Sequence, residues 1–350
     1  MTRTVLVTGA SGLVGRATVE ALRRRPGTRV VALRHRTGIT APGVRTVQGD
    51  ITAPGLGLPA DLHGELTSTV THVVHCAAQV GWLKADARTE ATNVDGTRQT
   101  CAFAAAAGAR LLHVSTAFVA LDLTAATPAP IPGSRNHPGA YLDSKRAAED
   151  VVRRTRPDSV IVRIPGMLGD SRTGETGTLQ GFHRFVAAAV QGRVPVVPLL
   201  PGSVLDLMPT DHVGEAIAAL TDAPDDTTPR LVWLTAGPAA PTMAQVAATI
   251  TETIGELGLP ATAPELLDVA TVARRLAADG IRPGTPAWRR VADIGAMCEV
   301  YRHERRFPSH LGTVPGTPVP TTRSVLDALA ALTRHLATRL TAEAGPTGSP

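Results

Sequence analysis

Short apolar runs alternate with longer amphipathic stretches over the first half of the chain. Runs of four to seven apolar residues are typical of buried strands, and apolar positions three or four apart are typical of helices. The runs predict strands at Thr4–Thr8, Arg29–Leu33, Val44–Gln48, Val70–His75, Leu111–Ser115 and Val160–Ile164. Helices are predicted to begin near Leu13, Thr89 and Ala140. The alternation indicates βαβ units and predicts an α/β fold with a doubly wound parallel sheet.

The rhythm changes after Pro165, where segments rich in glycine, threonine and proline separate the apolar stretches. Further helices are predicted at Phe182–Gln191, Asp211–Thr221, Thr242–Leu257, Pro264–Asp279 and Thr321–Ala344. We therefore expect a core at residues 1–165 and a smaller, mostly helical subdomain at 166–344, interleaved with the last core elements. Residues 345–350 are expected to form a disordered tail.

Composition narrows the class of protein. The 350 residues are 43% hydrophobic, yet no apolar run reaches the roughly 18 residues of a membrane span. A signal peptide is not expected either, because a glycine-rich motif follows Met1 too early. Three cysteines without a CxxC pair predict neither a disulfide framework nor a zinc site. His72 and His75 predict no metal site, because residues three apart on a strand point to opposite faces. A cytoplasmic location is the simplest expectation.

The net charge of +5 could indicate a nucleic-acid partner. However, the basic residues come in scattered short groups, and only 3% of residues are aromatic, which leaves few rings for base stacking. A basic cavity for an anionic ligand fits the sequence better.

A glycine-rich segment, Thr8–Gly15, follows the first predicted strand and opens the first helix. In this context Gly9 allows a tight turn, Gly12 lets the backbone approach a pyrophosphate, and Gly15 permits close packing of helix and strand. The helix N-terminus faces the anion. The segment predicts a Rossmann-type dinucleotide site.

The end of the second predicted strand bears on the choice of dinucleotide. A site for NAD usually places Asp or Glu there, but no acidic residue lies between Glu20 and Asp50. Arg34 and Arg36 occupy the strand end instead and offer positive charge to a 2′-phosphate. NADPH is therefore the predicted cofactor, although the arginines could also be merely solvated. Asp50 and Ile51 are expected to frame the adenine.

Tyr141 and Lys145 lie four residues apart on a predicted helix and so share one face. Only two lysines and two tyrosines occur in the chain, which makes a chance pairing rare. Upstream, Ser115 and Thr116 end the fifth predicted strand, at the sheet edge where ligands of such folds bind. A phenol, a cation and a hydroxyl are thus expected at one site.

At this point the chain resembles the extended short-chain dehydrogenase/reductases. The residues that carry the likeness are Thr8–Gly15, Asp50–Ile51, His75–Ala78, Asn93–Thr97, Val114–Thr116 and Tyr141–Lys145, in that order. Within that family the chain is most similar to the thioester reductase and fatty acyl reductase branch, the male-sterility type of NAD(P)-binding protein. That closer likeness rests on Arg163–Gly166, Gly169–Gly174 and Asp206–Val213.

The resemblance implies that Tyr141 is the proton donor and that Lys145 stabilises its anion and binds the nicotinamide ribose. It also implies that Thr116, with Ser115 as a close competitor, binds the substrate oxygen. Taken together, the motifs and the likeness predict these cofactor-binding residues: Gly9, Ser11, Gly12, Leu13, Val14, Gly15, Arg34, Arg36, Asp50, Ile51, Ala77, Ala78, Asn93, Lys145, Pro165 and Gly166.

Three substrate contacts are expected. Trp82 follows the fourth strand and could line the substrate entrance, although a solitary Trp more often serves packing. Ser171 and Arg172 lie in a glycine-rich loop and could hold a polar handle of the substrate. Alternatively, Asp170 and Arg172 only fix that loop.

The predicted activity is NADPH-dependent reduction of a carbonyl by hydride transfer. An acyl thioester on coenzyme A or a separate acyl carrier protein is slightly favoured by the family likeness. A ketoreductase acting on a free, polyketide-like ketone is the alternative. A nucleotide-sugar epimerase and a non-catalytic NADP(H)-sensing protein on the same fold are further alternatives. Tyr141 and Lys145 count against the sensor, and the basic strand end counts against the epimerase.

Overall fold

The computed structural model describes residues 3–81, 87–124, 126 and 129–344. Its strands are β1 Arg3–Thr8, β2 Thr28–Arg34, β3 Val44–Gln48, β4 His72–His75, β5 Arg110–Thr116, β6 Val160–Ile164, β7 Gly166–Met167, β8 Val196–Val197, β9 Leu207–Met208, β10 Leu231–Trp233 and β11 Glu265–Leu266. Its α-helices are α1 Leu13–Arg23, α2 Ala60–Thr69, α3 Ala87–Glu90, α4 Gly96–Ala106, α5 Pro138–Thr155, α6 Gly181–Val190, α7 Thr210–Asp222, α8 Met243–Glu256, α9 Val269–Ala278, α10 Pro286–Cys298 and α11 Thr322–Ala344.

Seven strands form a parallel sheet in the order β10-β6-β5-β4-β1-β2-β3. The strands are apolar because both faces of the sheet are covered, and Val5, Leu6 and Val7 of β1 are fully buried. After β1, the chain forms β2 and β3 on one side of that strand and then crosses to the other side to form β4. The carboxyl ends of β1 and β4 therefore flank a crevice, the place where open α/β sheets bind ligands. This arrangement confirms the predicted Rossmann-type class.

Helices cover both faces of the sheet. Residues of α1 and α7 share one apolar cluster with the sheet, and residues of α2, α4 and α5 share the other. In the C-terminal part, α6, α8 and α11 pack together. Apolar residues of α9 and α10, Trp288 among them, form a separate small cluster with Ile131. The chain beyond residue 165 is thus mostly helical, with two short parallel pairs, β7–β9 and β8–β11. It also returns β10 and α7 to the core.

Some elements differ from the sequence-based expectation. The helix predicted from Pro264 begins at Val269 instead, because Asp268 caps it by accepting a hydrogen bond from the amide of Thr271 at 2.9 Å. Helices α2 and α10 and strand β10 were not predicted. The helix expected near Thr89 contains a π-helical turn, Ala91–Asp95, between α3 and α4. The predicted tail, 345–350, lies outside the described residues.

Two kinds of feature are absent from these described ranges. No helix there has both the length and the apolar character needed to cross a bilayer. Nor do three or more His, Cys, Asp or Glu side chains there gather in a way that could hold a metal ion.

Candidate active site

The glycine turn between β1 and α1 is closely packed on two sides and open on the third. Gly9 has a φ of +66°, and a Cβ at that position would lie 2.5 Å from the amide nitrogen of Ala77. A Cβ on Gly15 would collide with the carbonyl oxygen of Gly9. Gly12, by contrast, is exposed, and the atom nearest to a Cβ added there would be the same oxygen, at 3.2 Å. This cradle fits the pyrophosphate of a dinucleotide, with Ser11, Leu13 and Val14 half-buried around it.

Basic side chains gather at the adjacent strand ends. Arg34, His35 and Arg36 are exposed at the end of β2, and Nε2 of His35 lies 3.6 Å from Oδ2 of Asp50. Burial alone would raise the pKa of Asp50, but hydrogen bonds from the amide and hydroxyl of Thr52, together with the nearby His35 and Arg36, lower it. Asp50 is therefore anionic beside a basic group of side chains.

Three further predicted contacts lie along the same sheet edge. Ile51 is buried and packs against Gly96, where a Cβ would lie 2.7 Å from the Ile51 Cδ1 atom. Ala77 and Ala78 are half-buried after β4, and the amide of Ala77 donates to the hydroxyl of Thr8 at 3.4 Å. The end of β4 is thus fastened to the glycine turn.

Tyr141 and Lys145 lie on the buried side of α5. The two residues are 8% and 3% exposed to solvent. The Lys145 Nζ donates a hydrogen bond to the carbonyl oxygen of Val114 at 2.9 Å, which anchors the ammonium at the end of β5. An ammonium has three donors, so two remain for other partners. Lys145 of the predicted pair therefore meets the predicted strand end.

The protonation of the pair follows from this burial. Burial raises the pKa of Tyr141, so the phenol keeps its proton at neutral pH. Burial also lowers the pKa of Lys145 to about 8, while the charge of Glu149 and the thiol of Cys76 oppose this shift. Burial is the cause of the raised Tyr141 pKa, and the Lys145 ammonium, which the resemblance assigns to the phenolate, donates to Val114 here.

The two hydroxyls at the end of β5 face different surroundings. Thr116 is 6% exposed, and its Oγ1 accepts a hydrogen bond from the amide of Phe118 at 3.3 Å, which leaves its own proton available. Ser115 is 2% exposed and lies beside Glu149 of α5, whose carboxyl it helps to keep ionised. Successive strand residues point to opposite faces, so only one of the two hydroxyls can face a given ligand.

Asn93, in the π-helical turn, connects α5 to the loop after β4. Its Oδ1 accepts from the amide of Gln79 at 2.7 Å, and its Nδ2 donates to the Ser144 hydroxyl at 2.9 Å. Ser144 in turn donates to the carbonyl oxygen of Tyr141 at 2.7 Å. Asn93 therefore holds α5 in place through its side chain.

Pro165 and Gly166 follow β6, and a residue from the C-terminal part meets them there. Pro165 is buried, and the Gly166 amide donates to the carbonyl oxygen of Asp206 at 3.1 Å. A Cβ on Gly166 would lie 2.7 Å from the hydroxyl of Tyr301, a buried residue whose ring contacts Phe118 edge-on with centroids 5.5 Å apart. Sequence reasoning missed Tyr301, which carries no motif.

The predicted substrate contacts are placed less centrally. Ser171 donates hydrogen bonds to the Asp211 carboxylate from its amide at 2.9 Å and from its hydroxyl at 2.6 Å. Asp170 accepts from the amide of Arg172 at 3.0 Å, and the Arg172 side chain is exposed. Ser171 fastens the loop to the start of α7, and the bond between Asp170 and the Arg172 amide favours the alternative that Asp170 and Arg172 only fix the loop. Trp82 lies outside the described residues.

Glu149 is a further buried residue that sequence reasoning missed. It is 1% exposed, and its two oxygens accept from Nε and Nη2 of Arg163 at 2.9 and 2.7 Å. Burial alone would raise its pKa, but the hydrogen bonds and the positive charge of Arg163 lower it. Its position four residues after Lys145, on the same helix face, was the available signal.

The structure thus brings Thr116, Tyr141 and Lys145 to the carboxyl edge of the sheet, next to the glycine turn. Cys76 joins the two parts, because its backbone packs on Gly9 and its thiol lies close enough to affect the charge of Lys145. The arginines of β2 extend the same edge. A cradle for an anion, a buried phenol and a buried ammonium together fit a dinucleotide and an acid–base reaction.

Comparison with known proteins agrees with this geometry. The sequence profile of the family described as "Male sterility protein" matches residues 39–217. A ceramide reductase from Caulobacter vibrioides is 34% identical over 220 residues, 62% of this chain and 59% of the relative. An isonitrile lipopeptide synthase from Streptomyces coeruleorubidus is 28% identical over 250 residues, 62% of this chain and 16% of the relative. The chain therefore spans only part of the length of these relatives.

Among solved structures, the terminal R domain from the myxalamid PKS-NRPS biosynthetic pathway superposes with a TM-score of 0.74. The alignment covers 97% of this chain and 91% of that one at 23% identity, which shows a shared fold. The family match covers half of the chain and includes the expected motifs from Asp50–Ile51 to Asp206–Val213, whereas Thr8–Gly15 precedes it. The chain belongs to the male sterility protein family, an NAD(P)-binding branch of the extended short-chain dehydrogenase/reductases.

Proposed function

We propose that this protein is an NADPH-dependent reductase that transfers a hydride to a carbonyl carbon, with Tyr141 as the proton donor. The observation that carries the proposal is the buried pair of α5: Tyr141 and Lys145 share one buried face of the helix, and the Lys145 ammonium bonds to the hydroxyl-bearing end of β5. These are the groups that carbonyl reduction needs at one point: an acid, a cation and a hydrogen-bond donor for the developing oxyanion.

Each side chain has one task in this scheme. NADPH, when bound, supplies the hydride. Thr116 donates its hydroxyl proton in a hydrogen bond to the substrate oxygen, and Tyr141 gives that oxygen its phenolic proton. Lys145 keeps its bond to Val114 and uses a second N–H to stabilise the phenolate that forms. Thr116 is preferred to Ser115, because the latter lies against Glu149 on the other face of β5.

An acyl thioester, on coenzyme A or on a separate acyl carrier protein, is the favoured substrate. For that substrate, hydride addition followed by loss of the thiol gives an aldehyde, and a second reduction gives an alcohol. The proposal is supported by the likeness to an R domain of a PKS-NRPS pathway. A free carbonyl compound is the second candidate, supported by the likeness to a reductase that is named for ceramide.

The first experiment offers the protein NADPH with three panels of substrates: acyl thioesters, aldehydes and aromatic ketones. The nicotinamide absorbance reports turnover, and the products are identified. Aldehyde or alcohol formed from a thioester supports the favoured substrate. Reduction of a ketone, with no product from any thioester, transfers the assignment to the ketoreductase. Tight NADPH binding without turnover of any substrate supports the alternative of a non-catalytic NADP(H)-sensing protein.

The Tyr141→Phe variant tests the mechanism. It removes the proton donor and keeps the ring, so turnover should fall by about 10² or more while NADPH affinity stays nearly intact. Steady-state kinetics and a binding titration measure the two quantities separately. A variant that turns over at the wild-type rate would show that the proton comes from another group.

A further inference from the structure

Lys145 carries its charge in an unusually closed environment. It is 3% exposed, and Val114 supplies one neutral carbonyl oxygen to its ammonium. A buried ammonium is costly unless an anion or several hydrogen bonds compensate it. The groups that surround Lys145 therefore decide whether it stays charged at neutral pH.

Most of the titratable neighbours of Lys145 are neutral. On β4, burial lowers the pKa of His75 to about 3, and just after it burial raises the pKa of Cys76 to about 12. On β5, burial lowers the pKa of His113 well below its usual value, and on α5 burial raises that of Tyr141. Among the described residues, Glu149 is the one group acting on Lys145 that is anionic at neutral pH.

We propose that Glu149 is a positioning residue that provides the buried counter-charge of Lys145 and so keeps the lysine in its ammonium form. The assignment rests on the proposed role of Lys145 and deepens it. Glu149 lies one helical turn after Lys145 on α5, and the two side chains reach neighbouring residues of β5, Ser115 and Val114. Their burial leaves little water between them to screen the interaction.

Glu149 can play this part because other groups keep it ionised. Arg163 of β6 binds both carboxylate oxygens, and Arg153 donates a second hydrogen bond to Oε2 at 2.6 Å. The Arg163 guanidinium lies in turn over the Trp233 ring, 4.7 Å from its centroid. Strands β6 and β10 therefore hold the carboxylate in the charged state that Lys145 requires.

The chain offers a direct measurement, because it contains only two lysines. Protein labelled with ¹³C at lysine Cε gives two NMR signals, and the Lys84→Arg variant identifies the signal of Lys145. We expect this signal to titrate with a midpoint of about 8. In Glu149→Gln the midpoint should fall by at least about one unit, which is a tenfold weaker affinity for the proton.

Asp150→Asn is the matched control. It neutralises the next carboxylate of the same helix, which is exposed and paired with Arg153 at 3.3 Å, so the Lys145 midpoint should not move. Glu149→Asp keeps the charge and should keep most of the midpoint. A midpoint in Glu149→Gln that equals the wild-type or control value would overturn the proposal.

Unfolding has its own signature in this experiment. An unfolded variant releases Lys145 to water, and its midpoint rises to about 10.5, opposite to the expected direction. In that case Glu149→Gln is combined with Arg163→Gln, which removes both charges of the pair and should still lower the midpoint. Since the titration is read without substrate, its outcome is independent of whether the protein turns over any compound.

Discussion

At the scale of single residues, cofactor choice depends on two arginines at the end of β2. Arg34 and Arg36 are exposed there, and the adjacent carboxylate, Asp50, already accepts two hydrogen bonds from Thr52. Guanidinium groups bind phosphate oxygens through paired hydrogen bonds, whereas a ribose hydroxyl gains little from them. The preference for NADPH over NADH should therefore reside in these side chains.

We expect Arg34→Ala to weaken NADPH binding by at least about tenfold, near 1.4 kcal/mol, and to leave NADH binding almost unchanged. The reason is the loss of a cation at the 2′-phosphate, which NADH lacks. Binding titrations with both cofactors measure the effect. Arg29→Ala is the matched control, because Arg29 is exposed at the other end of the same strand. Equal losses for NADPH and NADH would contradict the 2′-phosphate assignment.

How much of the site could be predicted depended on whether its residues are close in sequence. Tyr141 and Lys145 were found because one helical turn separates them. Glu149 also lies one helical turn from Lys145, but its pairing with Arg163 was not predicted, because that pairing requires knowing that β6 lies beside α5. Tyr301 lies beside Gly166 although 135 positions separate the two in the sequence, and a contact at such a distance cannot be predicted from local spacing.

At the scale of elements, the connection of β1 to α1 depends on two glycines in different ways. At Gly15 the Gly9 carbonyl oxygen leaves no room for a methyl group, so internal packing requires glycine there. Gly12 is exposed at the helix start, and an added Cβ would lie 3.2 Å from the same oxygen. We therefore expect the ligand, and not the packing, to require glycine at position 12. A methyl group at each position should therefore separate stability from binding.

Gly15→Ala should destabilise the protein by about 1 to 3 kcal/mol, because the helix must move away from the turn. Gly12→Ala should change stability by only a few tenths of a kcal/mol, within the range for exposed sites, and yet weaken NADPH binding severalfold. Chemical denaturation and a binding titration measure both properties. If Gly12→Ala proved as unstable as Gly15→Ala, the open side of the turn would have another function.

The π-helical turn at Ala91–Asp95 shows what local pattern does not reveal at this scale. The sequence predicted a helix near Thr89, and a helix is present, but the turn widens where Asn93 reaches Gln79 and Ser144. These partners lie on two other segments of the chain. A tertiary contact thus sets the local geometry, as is frequent for π-helical turns near functional sites.

At the scale of the whole molecule, two buried groups give the stability opposite dependences on pH. His113 is fully buried, neither ring nitrogen has a hydrogen-bond partner among the described residues, and its lowered pKa means that the unfolded chain takes up the proton first. Its contribution is therefore lost as the pH falls below about 6.5. Burial raises the pKa of Asp206 to about 7, so its contribution is lost as the pH rises from 4 through 7.

Replacing each group should expose its part of the profile. Compared with wild type, His113→Leu should gain more stability at pH 5 than at pH 8, because it no longer resists protonation. Asp206→Asn should show the reverse, with a difference of roughly 2 kcal/mol between the two pH values. Urea unfolding at both pH values measures the free energies. Parallel profiles for the three proteins would contradict both assignments.

Strand β10 comes from a part of the sequence that is far from the other strands of the sheet. This edge strand comes from Leu231–Trp233, and α7, which covers α1, comes from Thr210–Asp222. Ion pairs of Arg24 with Glu215 and of Arg25 with Asp222 join the two helices. During synthesis the cofactor-binding half must therefore wait with one edge open and one helix uncovered until residue 233 has left the ribosome. A shortened version for crystallisation or for fusion to a carrier has to extend past this residue.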